Sequence, residues 1–240
     1  MPVPERKADV LRPPRLGPTV TSTRARQLQG ELEEIFLQEG FQHLSIVQLA
    51  ARLHCSRRTF YELAPSREEL VLVVLDGILH RMGKTAHDHL ADIEDPLDRF
   101  EMFIVRVIPE LRRMSLRFNE DVERQPSARR LFADHYRYAT ALIEDMVREA
   151  IHIGRAREFD PQFVGHVVDA MVVHLHDPDY QRRSLLSFED SFYEMVRFVR
   201  AALERPDAKK VTPKASSSVA RHQPDVVAGH RRRVQRPRSG

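Results

Sequence analysis

Apolar residues recur along most of this chain at spacings of three and four, the repeat that lines one face of an α-helix. After Thr23, Leu28, Leu32, Ile35 and Phe36 share such a face, and Gly40 ends the run. Ser45 followed by Gln48 has the form of a capping box and predicts a short second helix with Ile46, Leu49, Ala50 and Leu53 turned inward. Leu53-His54-Cys55 makes a turn, with His54 at a position that tolerates an unusual backbone angle. Ser56 then caps a third helix through about Glu62, with Phe60 inward. Pro65-Ser66 breaks and re-caps the chain, Glu69 completing a second capping box. A long helix follows through Leu70, Val73, Val74 and Ile78 toward Leu90.

The same repeat continues to about residue 205. Asp95-Pro96 is a cap with proline at the first helical position, followed by the stripe Leu97, Phe100, Phe103, Ile104, Val107 and Leu111. Pro109 lies inside that stripe and predicts a kink or break. Ser127 opens a long helix through Leu131, Leu142, Met146 and Ile151, ended near Gly154; Asp160-Pro161 and Ser187 open two more. No two-residue alternation survives, so the fold is all-α. The pattern divides the chain into a Pro-rich arm over 1–20, a unit of short helices over 21–68, a bundle of long helices over 69–205 and a basic, disordered tail over 206–240.

Composition changes this picture in three ways. Leu70 to Leu75, the longest purely aliphatic run, is far too short to span a bilayer, and the N-terminal residues lack a signal peptide's apolar segment, so a soluble, cytoplasmic protein with no membrane contact is expected. A single cysteine, Cys55, excludes an intramolecular disulfide and a cysteine-based zinc site. The net charge of +3 is unevenly spread: residues 206–240 hold nine Lys/Arg against two acids, and residues 1–26 hold six against two, so the segment between is acidic. Within that acidic segment, Ser45 to Arg67 carries Arg52, Arg57, Arg58 and Arg67 against one acid, Glu62. This local excess is the more specific pointer to nucleic acid.

Two short helices joined by a tight turn and buttressed by a preceding helix form a helix-turn-helix arrangement. The string Phe36-Leu37-Gln38-Glu39-Gly40-Phe41, Ser45, Leu49-Ala50-Ala51-Arg52-Leu53-His54-Cys55-Ser56, Thr59-Phe60-Tyr61 and Ala64-Pro65-Ser66-Arg67-Glu68-Glu69-Leu70 resembles the TetR family of bacterial transcriptional repressors. The match runs without gaps over roughly residues 24–72. It departs from the family pattern at His54 and Arg58, where glycines are usual, at Leu63-Ala64, where His-Phe is usual, and at Arg67, which replaces a lysine. The departure at Leu63 removes a possible phosphate donor.

The resemblance implies an N-terminal DNA-binding domain and a C-terminal helical ligand-binding and dimerisation bundle. Double-stranded DNA, a small apolar effector and a second copy of the chain are the expected partners. Arg57 or Arg58 is expected to read a base edge, since arginine bonds guanine O6 and N7 together, while the other meets phosphate. Ser45, Gln48, Ser56, Thr59, Tyr61 and Arg67 complete the expected DNA surface, helped by helix N-terminal amides. The plainer alternative is a solvated arginine pair. Phe103, Val107, Phe118, Phe132, Tyr136 and Met146 are candidates for a cavity wall, ordinary core being the plainer reading of each. The last two helices are apolar over more than one stripe, and Val164, Met171, Val172, Phe192 and Val196 are the candidates for the dimer interface that the resemblance implies.

Other features point away from chemistry. His87-Asp88-His89 and His174-Leu175-His176 place their histidines two apart, on different sides of a helix. Glu149-Ala150-Ile151-His152 resembles half of a di-iron motif without a second copy. Cys55 reads as a small turn residue and the triple arginine at 231–233 as a phosphate-attracting or merely solvated tail. No catalytic residue, metal or cofactor is expected. The competing readings are an interaction module without DNA specificity and a helical-bundle enzyme.

Overall fold

The computed structural model describes residues 23–206 apart from His89. The Pro-rich arm over 1–20 and the basic tail beyond Pro206, Arg231–Arg233 included, lie outside these residues. Among these residues ten α-helices follow in order: α1 (Thr23–Glu39), α2 (Ile46–Arg52), α3 (Arg57–Leu63), α4 (Arg67–His87), α5 (Pro96–Arg112), α6 (Leu116–Arg124), α7 (Pro126–His152), α8 (Pro161–Leu175), α9 (Pro178–Arg183) and α10 (Phe188–Leu203), with a short 3-10 helix, Leu90–Asp92, between α4 and α5. Among the described residues there is no strand, and one isolated bridge joins Ala156 to Glu204.

Local chemistry sets most of these boundaries. Ser45 Oγ accepts from the Gln48 amide at 3.2 Å while Gln48 Oε1 accepts from the Ser45 amide at 2.8 Å, the reciprocal capping box. Ser56, Ser66, Asp95, Ser115, Asp160 and Ser187 cap their helices through side-chain oxygens in the same manner. Gly40 ends α1 with φ +77°, and a Cβ there would lie 2.4 Å from an Asp121 carboxylate oxygen, so both backbone angle and space require glycine. His54 takes the left-handed turn between α2 and α3, at φ +48°.

Several boundaries differ from the sequence pattern. α5 runs through Pro109 without a break and ends within a turn of it, where little remains of the helix to disturb. α7 begins at Pro126 rather than being opened by Ser127: Gln125 stands at the cap without a side-chain cap bond, and the Ser127 hydroxyl, inside the first turn, donates to Glu68 on α4 at 3.1 Å. α4 ends at His87 rather than near Leu90. Neither α6 nor α9 was separable from its neighbours by apolar spacing alone.

The three N-terminal helices rest on α4 and α6. Phe36 and Phe41 pack on one another, and a chain of ring contacts continues from Phe41 to Phe118 on α6 and then to Phe132 and Tyr136 on α7, with centroids 5.5–6.2 Å apart. Asp121, 2% exposed, sends one carboxylate oxygen to the amides of Phe41 at 2.7 Å and Gln42 at 2.9 Å. The Ser115 amide donates to Leu37 O at 2.8 Å. Behind this unit, α5 is enclosed by α4, α7 and α10. Buried Arg155, after α7, pairs with Asp95 before α5 and with Glu204 after α10, which joins three helix ends.

Asp121→Ala leaves two amides without an acceptor, one of them buried, and is expected to lower the unfolding free energy by about 1–3 kcal/mol in a urea titration. A loss under about 0.5 kcal/mol, the range of an ordinary surface change, would contradict that role.

Candidate functional site

The α2–turn–α3 unit presents its polar face outward while its apolar face is fixed from below. Ile46, Leu49 and Ala50 of α2, and Phe60 and Leu63 of α3, are buried, which leaves the first turn of α3 facing solvent. Arg57 and Arg58 stand there side by side. Arg58 is 88% exposed and its Nε lies 3.4 Å from Glu62, a weak surface pair, whereas Arg57 makes no ion pair among the described residues. Tyr61 is exposed one turn further along. Thr59 is half-buried, its amide donating to Ser56 Oγ at 3.3 Å and its hydroxyl 3.0 Å from the same atom. Ser45 and Gln48 lie exposed at the start of α2, where the Ser45 hydroxyl also donates to Gln48 Oε1 at 2.8 Å. Val47, exposed beside them, was not expected on this surface.

Arg67 takes a different place from the one expected. Its Nε donates to Leu44 O at 2.8 Å, and its Nη2 donates to Phe41 O at 2.7 Å and Gln42 O at 2.9 Å. The guanidinium fork thus closes the α1–α2 turn from α4 instead of standing free for a phosphate. A fork of five donors matches several carbonyls at once, which a lysine cannot do. Leu63 and Ala64, the departure that removed a phosphate donor, are both buried and belong to the core beneath α3. Cys55 sits half-buried in the turn, and burial pushes its thiol up, away from the reactive thiolate.

A cavity with about 80 Å³ of internal space lies in the bundle, between α4, α5, α7, α8 and α10. Met82, Gly83, Ala86 and His87 come from α4, and Phe103, Ile104, Val107 and Leu111 from α5. His135, Tyr136, Tyr138 and Thr140 face it from α7, Asp169 and Val172 from α8, and Phe192 from α10. Tyr138 Oη and His87 Nε2 are 2.8 Å apart. Burial, with the neighbouring His80 and His87, pushes His135 down to about 4. Burial also pushes Tyr136 up to about 12, helped by the charges of Asp169 and Glu123.

Of the candidates for a cavity wall, Phe103, Val107 and Tyr136 line this cavity, whereas Phe118, Phe132 and Met146 do not. Phe118 is turned toward Phe41 by α6, and Phe132 packs between Phe118 and Tyr136; Met146 is buried in the core. The expected dimer residues need a similar correction. Val164, Phe192 and Val196 are buried within the chain itself, and Val172 and Phe192 border the cavity. Met171 is half-buried against the core. The apolar side chains that these two helices leave to solvent are Phe163 and Val173 on α8 and Tyr193 and Phe198 on α10. Spacing shows two apolar stripes without showing which one faces inward. The polar wall residues were missed for a related reason, although Asp169 does interrupt the apolar run Val164 to Val172. Among the described residues no group of three His, Cys, Asp or Glu side chains is placed to hold a metal ion.

A helix-turn-helix unit set on a cavity-bearing helical bundle is the fold of the TetR-family transcriptional regulators. No family model and no curated protein matches the sequence. Solved structures do match. A transcriptional regulator from Saccharomonospora viridis, determined in complex with choline, superposes with TM-score 0.66 at 17% identity, over 77% of this chain and 100% of that one. A TetR/AcrR-family regulator from Thermobifida fusca gives 0.60 at 18% identity, over 77% and 100%. AibR, determined with isovaleryl coenzyme A and operator DNA, gives 0.55 at 17% identity, over 73% and 97%. At such identities the likeness is one of fold.

Arg67→Ala is expected to lower stability by about 1–3 kcal/mol through loss of its charge-assisted bonds, whereas Arg58→Ala stays within about 0.5 kcal/mol of the parent. Thermal unfolding of the two variants checks this; equal midpoints would return Arg67 to the solvent-facing set.

Proposed function

We propose that this chain is a TetR-family, DNA-binding transcriptional regulator, a repressor that binds a pseudo-palindromic operator as a homodimer and releases it when a small molecule fills the bundle cavity. The observation that carries this reading is the first turn of α3, where Arg57, Arg58 and Tyr61 stand exposed on a helix whose underside is locked into the core. The N-terminal turn of a recognition helix faces base edges in the major groove, and two adjacent arginines suit one guanine contact and one phosphate contact. Ser45, Gln48, Ser56 and Thr59 supply hydroxyl and amide groups to the flanking phosphates. Arg67 acts behind them by fixing the turn that starts α2.

Phe163 and Val173 on α8 and Tyr193 and Phe198 on α10 are large apolar side chains left exposed, and their exposure supports association through these two helices. Two-fold symmetry then sets two recognition helices about one helical turn of DNA apart. AibR's structure with both a ligand and operator DNA supports ligand control in a fold of this kind. No helix among the described residues is long and apolar enough to cross a membrane, and a cytoplasmic location suits a DNA-binding role. The proposal assigns the chain no catalytic role, metal or cofactor.

The test is selection from a randomised duplex pool at about 150 mM salt, where non-specific binding is weakened. A two-fold-symmetric site should be enriched, and Arg57→Ala or Arg58→Ala should cost about 1–3 kcal/mol while relaxing one base position. Binding with no enriched sequence would overturn the reading. Phe198→Glu should convert the dimer to monomer in sedimentation, and an unchanged mass would remove α10 from the interface.

A further inference from the structure

The charge inventory of the cavity separates classes of ligand. No lysine or arginine lines it. Arg106, on the same helix as Phe103, is not among the lining residues. His135 borders the space but is held neutral at pH 7 by burial. Among the described residues Asp169 is the one carboxylate of the wall, and it accepts no hydrogen bond and meets no cation within ion-pair distance. Four aromatic side chains, Phe103, Tyr136, Tyr138 and Phe192, share the lining with it.

An anionic ligand entering this space would find a like charge and no lysine or arginine to neutralise its own. A neutral hydrocarbon would fill it while excluding water from a half-buried carboxylate that has no partner. A cation answers both features, because aromatic faces attract positive charge through their quadrupole and Asp169 supplies the counter-charge. Space of about 80 Å³, room for several water molecules, limits the occupant to a compact group.

The geometry points to a compact organic ammonium ion as the class of ligand that this cavity takes, with Asp169 as its counter-ion and Phe103, Tyr136, Tyr138 and Phe192 around its alkyl groups. This assignment deepens the proposed ligand control and rests on that reading for its regulatory meaning. Binding itself is measurable without DNA. Asp169 sits on α8 directly after Val168 of the core, so an occupant held by it contacts α4, α5, α7 and α8 together.

The experiment is isothermal titration of the full chain with three probes of similar shape: phenyltrimethylammonium, its neutral isostere tert-butylbenzene, and benzoate. Phenyltrimethylammonium is expected to bind at least about tenfold more tightly than tert-butylbenzene, with no measurable benzoate binding. Asp169→Asn, which keeps the side chain's shape, is expected to erase that preference by weakening the cation, while tert-butylbenzene binds no more weakly than to the parent, which also reports that the cavity is intact. Absence of cation binding, equal or tighter binding of either other probe, or an unaltered cation preference in the variant would overturn the assignment. The two readings fail separately. A cation that binds through Asp169 without weakening operator binding would contradict ligand control alone, and a neutral or anionic effector that releases DNA would contradict the cation assignment alone.

Discussion

Asp121 reaches from α6 into the turn between α1 and α2, where one carboxylate oxygen accepts from the amides of Phe41 and Gln42. Arg67 reaches the same turn from α4 and takes the carbonyls of Phe41, Gln42 and Leu44. Amides held from one side and carbonyls from the other leave this short segment little freedom, and a buried backbone group without a partner would be costly. The turn ends at Ser45, the cap of α2, so the setting of the DNA-facing helices depends on two side chains contributed from outside them. Gly40 is the residue that lets Asp121 approach closely enough.

The same region carries a packed path toward the cavity. Phe41 touches Phe118, Phe118 touches Phe132, and Phe132 touches Tyr136, whose ring forms part of the cavity wall. Close-packed interiors transmit displacement because they hold few voids to absorb it. In the proposed regulator, a ligand that shifts Tyr136 would press on α6 and therefore on the carboxylate that holds the turn. The difference in affinity between the two settings need be only a few kcal/mol to change occupancy of DNA substantially.

Much of the N-terminal unit was legible in the sequence because its signals are local. A serine with glutamine or glutamate three residues on, and a glycine after an apolar stripe, name helix ends with no knowledge of the rest of the chain. His54, standing where a glycine is usual, likewise marked the one left-handed non-glycine turn among the described residues. The bundle was less legible because its questions are global. Apolar spacing gave α8 and α10 correctly as helices yet could not say that Phe192 and Val196 face inward while Tyr193 and Phe198 face out. Arg67 was misplaced for a similar reason: its partners lie more than twenty residues away in sequence, and an arginine near a helix-turn-helix looks like a phosphate ligand until the carbonyls around it are seen. Asp169 was visible only as an interruption in an apolar run, with no local sign that it borders a cavity.

The central physical claim is that the N-terminal helices and the cavity-bearing bundle form one mechanically continuous body through the Phe41–Leu44 turn. Residue-resolved hydrogen exchange of the Phe41 and Gln42 amides, compared with buried amides of α5 and α7, tests it directly, since exchange reports the smallest opening that exposes each amide. Both amides are expected to exchange as slowly as those of the core helices, opening only when the whole chain opens. Fast exchange at Phe41 and Gln42 while α5 and α7 remain protected would show the turn coming free by itself and would contradict the account.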